Sequence, residues 1–530
     1  MIYSYINVVN CNKYSNKLHF TKSQISFCHI SNWLVILFTT EAIMFRFEKI
    51  DAISTTFLNP LERVVEFTPR GADNIAKVLS LSVDGKVLSY TPCDGYADIS
   101  GRADFTLIYL DFDGNPSSAN YNADFNVRLD GEINATDKLS VDIKIVEWGV
   151  TSGDILTLSA VVRVTGMATK TAPINMLADA EDSYITTKKL VIPTAVATTS
   201  YSLPVDEETT VGDVEKVLSL STKCCLTHAK VRDKQVDMSI DTIAIITYVQ
   251  DGGVHTATFT VSSDECVSID EIMQGDKVYI LPQVKSGKVI LAGVTGENIL
   301  RFEGELTASI CAIRYLEQEV VDDLFMLTHN TTVERESAAL TSFIDTGFYK
   351  ERIYGEADLP ECEYGAVIGV PAVTAFVAKA IHDEDMTIEG IATAEILYSA
   401  EGEIRSVRAE VPYSVNLIGD FTNKVVARAT VLDATVKIKN NTAEINLLLG
   451  FEISSFAENT LSYISSVEMG EERPVNTSGL SMYVAQEGDT MWDVAKALTA
   501  TPEQIMSQNP NLTFPLKQCD KVLYFRQLKG

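Results

Sequence analysis

The hexapeptide KVLSLS occurs twice in the chain, starting at Lys77 and again at Lys216. A chance six-residue match in a chain this long has odds of roughly one in a hundred, so the pair raises the question of an internal duplication. A duplication has to carry other landmarks at the same offset of 139 residues, and it does. ISGRADFTLIY ends on Tyr109 and MSIDTIAIITY ends on Tyr248, 139 residues later. A third version, IEGIATAEILY, ends on Tyr398 and shares Ile, Gly, Ala and Tyr with the first without a gap. Each Tyr is followed by a short turn containing Gly and an acid or amide: DFDGN (Asp111 to Asn115), QDGG (Gln250 to Gly253) and SAEGE (Ser399 to Glu403).

Period-two apolar spacing surrounds these turns. Ala257, Phe259 and Val261 alternate with threonines after the second turn, which is the pattern of a half-buried strand leaving a hairpin. GVTSGDIL (Gly149 to Leu156) answers GVTGENIL (Gly293 to Leu300) at a slightly longer offset. In the third copy Val436 and Ile438 precede an Asn440-Asn441 turn, and Ile445, Leu447, Leu449, Phe451 and Ile453 alternate after it. The spacing predicts a mainly β chain of three tandem β-rich units, sandwich-like or open-barrel-like, over residues 61–172, 173–320 and 321–468. KVLSLS is expected on an early strand of units one and two, with a drifted third copy around Val373 to Lys379. Asp213 to Leu218 is left open as a possible helix. Residues 469–480, charged and then Pro-, Ser- and Gly-containing, read as a linker.

The first 43 residues differ from the rest: they hold no Gly, Pro, Asp or Arg, and Glu41 is their only acid. WLVILF (Trp33 to Phe38) is too short to span a bilayer as a helix. An over-extended or disordered leader before a start at Met44 is expected, with a signal or targeting segment as the other reading. The whole chain carries a net charge of −29, which repels nucleic-acid phosphates and anionic lipid, so neither nucleic-acid binding nor membrane insertion is expected. Nine cysteines include no CxxC pair and one vicinal pair, Cys224-Cys225. They read as reduced, mostly buried thiols without a metal.

The stretch from Ser481 to Phe525 has another organisation. Tyr483 and Val484 begin a strand and Gly488 makes a turn; Thr490 can cap a helix with Asp493 closing a capping box. Trp492, Ala495 and Leu498 fall on one helical face. Thr501, Pro502 and Gln504 start a second helix, Asn509 and Pro510 end it, and Lys521 to Phe525 reads as a returning strand. Residues 481–527 are thus expected to form a small βααβ domain.

No HExxH, GxSxG, P-loop or strand-linked GxGxxG occurs, and the six histidines are scattered. His382 in HDED and the Asp111/Asp113 pair read as turns and not as metal sites. No enzyme activity and no cofactor are expected.

The C-terminal stretch resembles the LysM family through Tyr483, Val484, Gly488, Asp489, Thr490, Trp492, Ala495 and Asn509-Pro510-Asn511. It departs at Met491, where Leu is usual, and at Cys519, where many members have Gly. The resemblance implies a shallow groove for N-acetylglucosamine-containing glycan, or for a partner protein, formed by Gly488, Asp489, Thr490, Met491, Asn509, Pro510, Asn511 and Leu512. The three β-rich units with I-x-G-x-A-x-x-x-x-x-Y, followed by one such module, resemble the SPOCS-repeat spore-coat morphogenetic proteins of endospore-forming Firmicutes. That resemblance implies a non-catalytic adaptor in the mother-cell cytoplasm at the forespore surface, linking the coat's basement-layer ATPase or other coat proteins to the growing coat. The alternative is a cell-wall protein that binds peptidoglycan.

Overall fold

The computed structural model describes residues 24–30, 33–39, 45–70, 74–151, 155–294, 297–382, 385–422, 424–473 and 479–526. Within the leader, β1 (Gln24–Ile30) and β2 (Trp33–Thr39) form an antiparallel hairpin; the rest of residues 1–43 lies outside the described residues.

From there the chain is almost entirely strand. β3 (Phe45–Phe57) and β4 (Leu61–Phe67) lead to a meander of β5 (Lys77–Cys93), β6 (Tyr96–Leu110) and β7 (Pro116–Asp130). β8 (Lys138–Thr151) and β9 (Thr157–Ala180) follow, and β9 returns to pair with both β3 and β4. The pattern then repeats: β10 (Tyr184–Val211); a meander of β11 (Val214–Arg232), β12 (Gln235–Gln250) and β13 (Gly253–Ser268); and β14 (Lys277–Val294) with β15 (Glu297–Phe325), which pairs back along β10. It repeats again as β16 (His329–Asp358), a meander of β17 (Tyr364–His382), β18 (Met386–Ala400) and β19 (Glu403–Leu417), then β20 (Lys424–Lys439) with β21 (Thr442–Glu472) pairing back along β16.

The turns follow from local chemistry. Asp251-Gly252 and Glu401-Gly402 are two-residue hairpin loops with positive φ throughout, the geometry that matches strand twist. In DFDGN the Asp111 carboxylate accepts from the Asp113 and Asn115 amides at 3.0 and 2.8 Å, so it closes the turn.

Several sequence expectations need correction. The boundaries at 172/173, 320/321 and 468/469 fall inside β9, β15 and β21, because each closing strand runs past its apolar alternation to pair with the strand that opened its set. The sets break at the turns around Asp182 and Leu327. The expected linker is in part strand: Val467 to Glu472 pairs with His329 to Val333. Asp213 to Leu218 enters strand β11 and is not a helix.

The third counterpart of KVLSLS also moves. A one-residue bulge leaves Leu79 unpaired between Val78 opposite Tyr109 and Ser80 opposite Ile108. Leu218 is bulged in the same way opposite Tyr248 and Thr247, and Ile368 opposite Tyr398 and Leu397. The equivalent segment is therefore Val367-Ile368-Gly369, and not Val373 to Lys379. A bulge turns its residue off the sheet's regular face. Here all three turn to one place: Leu79 and Leu218 are buried with Ile368, Ile108, Val249 and Leu397 in a single cluster drawn from the three meanders.

The closing strands of the three sets pack against one another in successive clusters. Leu177, Leu324 and Ile464 share one cluster; Ile174, Val320 and Leu461 share the next; Met167, Ile313 and Phe456 share a third. Polar clamps reinforce the joints. Buried Glu395, from the third set, accepts from Ser80 Oγ (2.7 Å), Leu81 N (2.8 Å) and Trp148 Nε1 (3.2 Å) of the first, and from Arg408 (2.8 Å). Glu452 accepts from Leu226 N of the second set at 3.0 Å, and burial raises its carboxyl above the ordinary value.

Candidate functional site

The C-terminal module is β22 (Leu480–Val484), α1 (Met491–Leu498), α2 (Pro502–Gln508) and β23 (Lys521–Phe525), with β22 and β23 antiparallel. Both helix starts carry reciprocal capping boxes, Thr490 with Asp493 and Thr501 with Gln504, as their S/T-x-x-D/Q spacing dictates. Val494, Ala495, Ile505, Val522 and Tyr524 make the core between helices and sheet.

The predicted groove residues lie in the loop before α1 (Gly488, Asp489 and its cap Thr490), at the first residue of α1 (Met491) and in the loop after α2 (Asn509 to Leu512). Gly488 sits at φ +94° and donates its N–H to Leu516 O at 2.9 Å; Leu516 N returns to Asp489 O at 2.9 Å. This pair of bonds ties the first loop to the second. The Asp489 carboxylate accepts from the Tyr483 hydroxyl and from Gln486 N, both at 2.7 Å. That bond to a carboxylate raises the Tyr483 phenol above its ordinary pKa. Thr490 is occupied as the helix cap, and Met491 and Leu512 are half-buried against the module's core.

The Asn509 side chain is bonded within the module. Its Oδ1 accepts from Leu523 N (3.1 Å) while its Nδ2 donates to Leu523 O (2.7 Å) and Ile505 O (2.9 Å). Gln508 does the same for Phe525, accepting from its N–H at 2.6 Å and donating to its carbonyl at 2.9 Å. Two side-chain amides thus stand in for a neighbouring strand along the outer edge of β23. Gly488, Thr490, Pro510 and Asn511 are exposed, which leaves the 510–511 corner as the predicted surface with the most freedom to meet a partner.

Trp492 is engaged with another part of the chain. Its ring packs edge-on against Phe325 at 5.0 Å, and Phe325 stacks on Tyr184 at 5.3 Å. Its Nε1 donates to Asp323 at 2.9 Å, and Lys496 Nζ reaches the same carboxylate at 2.7 and 2.8 Å. Burial alone would raise the Asp323 pKa, but the Lys496 and Trp492 hydrogen bonds outweigh it and hold the carboxyl below its ordinary value. Arg473 adds a second pin, donating to Thr499 Oγ1 at 2.6 Å and to His329 O at 3.0 Å. These contacts fasten the module to the ends of β10, β15 and β16. No sequence signal marked Asp323, Phe325 or Arg473, because each acts only through a partner far away in the chain.

Among the described residues, no group of three or more His, Cys, Asp or Glu side chains is placed to hold a metal ion. His382 ends β17, and residues 383–384 of HDED lie outside the described residues. The thiols are less uniformly buried than expected: Cys225 is buried, but Cys266 and Cys519 are exposed. Burial pushes the Cys224 thiol up to about 12, with Glu452 adding to the rise, and raises Cys225 as well. No helix among the described residues is long and apolar enough to cross a membrane. Comparison with protein-family models, curated protein sequences and solved structures gives no match.

Proposed function

We propose that the chain is a non-catalytic adaptor in endospore coat assembly, located in the mother cell at the forespore surface. Its partner there is the coat's basement-layer ATPase or another coat protein. The observation that supports this reading is a compact βααβ module, bearing the LysM-like residues, fastened by Asp323, Phe325 and Arg473 to the three-part β body. A tethered pair of docking surfaces raises the effective concentration of one partner near the other and needs no chemistry. With Asp489, Thr490 and Asn509 engaged in holding the fold, the exposed Pro510-Asn511 corner is the contact we assign to the partner.

The full chain should capture the purified basement-layer ATPase. The double variant Pro510→Ala, Asn511→Lys should lose at least tenfold in affinity with its circular dichroism unchanged; undiminished capture would remove the corner from the interface. Saturable binding to purified peptidoglycan, without capture of the ATPase, would support the glycan-binding alternative. A fluorescent fusion should ring the forespore during sporulation, and a diffuse signal throughout would count against a coat role.

A further inference from the structure

The two-stranded sheet of the C-terminal module is apolar on both sides. Val522 and Tyr524 turn inward to the core beneath the helices. On the other side Leu480, Met482, Val484, Leu523 and Phe525 are each 40–55% exposed. The register sets them side by side: Leu480 lies opposite Phe525 and Met482 opposite Leu523, while Lys521, opposite Val484, is the one charge on this face. α1 carries the contacts to the β body through Trp492 and Lys496, and it packs on the inner side, so those contacts leave the outer face open. A sheet that is apolar on both faces calls for a packed layer on each, and α1 and α2 supply one.

Area, charge and geometry agree on what supplies the other. At these exposures the five side chains offer roughly 500 Å², so two copies packed face to face bury about 1,000 Å², the lower bound for a specific interface. From Leu480 to the last residue the chain holds five acidic and five basic side chains, so all of the net −29 lies before it. Two copies therefore meet with the least repulsion here. Lys521 stands at one corner of the face. A two-fold axis in the plane between the sheets, along or across the strands, carries it to a different corner in the second copy, so the two ammonium groups do not meet. Joining two copies edge to edge along β22 would leave the whole face in water; stacking the sheets about 10 Å apart covers it.

We propose that this face is a self-association surface, through which two chains form an isologous dimer by packing the outer faces of their C-terminal sheets together. An interface at the lower bound of size gives a dissociation constant of about a micromolar or weaker, so chain concentration sets the fraction paired. The inference uses none of the Pro510-Asn511 corner and stands without the adaptor reading.

Sedimentation equilibrium of the full chain from ~1 to ~300 µM spans the relevant range. The average mass should rise with concentration from that of one chain toward that of two, and stop there. The double variant Met482→Glu, Leu523→Glu should weaken association at least about tenfold with its circular dichroism unchanged. Tyr354→Glu, at an exposed position of β16, should leave association as it is. Phe525→Ser gives a second measurement if the double variant fails to fold, and should weaken pairing in the same direction. The mass of one chain at every concentration would overturn the proposal and assign the face to an apolar segment of another protein. Growth beyond two chains, or undiminished pairing by the folded face variants, would overturn it as well.

Discussion

Cys519 lies at φ +68°, the left-handed region where a β-carbon crowds the backbone, in the turn that Asp520 N closes on Lys517 O at 3.1 Å, and its own N–H donates to Ala485 O at 2.9 Å. Glycine removes that crowding at some cost in unfolded-chain entropy. Cys519→Gly should stabilise the C-terminal module by about 0.5–1 kcal/mol, measured by denaturant unfolding. Lys223 makes an opposite kind of statement. Its folded pKa of about 8 lies below the ordinary 10.5, so the unfolded chain binds more protons between those values and stability rises as pH increases from 8 to 10.5. The full gain is about 3 kcal/mol, and it should vanish from the pH dependence of unfolding in Lys223→Met. Neither property was legible in sequence beyond a hint: Cys519 stood out where the resemblance led one to expect Gly, but nothing around TKCC marked a buried amine.

Local elements were the most readable part. Both helix starts and the hairpin turns depend on residues three or fewer apart, so Thr490/Asp493, Thr501/Gln504 and the Gly turns could be read directly. Strand ends were not readable, because β9, β15 and β21 are prolonged by partners in other parts of the chain. One readable signal was missed. Asn134 N and Met273 N each bond an aspartate three residues on (Asp137, Asp276), while Ala135 N and Gln274 N bond Asp94 and Asp233. The four pairs obey the KVLSLS offset throughout, and comparing acids at that offset would have found this shared corner. At the joint between elements, Asp323→Ala strands the Trp492 N–H and the Lys496 ammonium. It should weaken module docking by about 1–3 kcal/mol, visible as faster proteolysis between residues 473 and 480. Because the Asp323 carboxyl is held below its ordinary pKa, its contribution is complete above the ordinary carboxylate range. It should fade as the pH falls through the lower folded value.

Across the whole molecule the three sets are joined through buried charge as well as apolar layers. Glu395→Ala would leave Arg408 with its bond to the Trp148 carbonyl and its contact with the Trp148 ring, and would take the acceptor from Ser80 Oγ, Leu81 N and Trp148 Nε1. Removing one member of such a buried pair should cost about 3–5 kcal/mol, read as a lowered midpoint in chemical denaturation. The repeat period was legible because the bulged apolar residue and the tyrosine across from it recur; the meeting of the three bulges was not, since periodicity says nothing about where copies face one another. That meeting has a consequence for inheritance. Leu79, Leu218 and Ile368 share one filled volume, so a larger side chain at one has to be answered by a smaller one at another. Three codons widely separated in the gene are thereby bound to drift together, as the faces of a homotrimer would if its subunits had been written into a single chain.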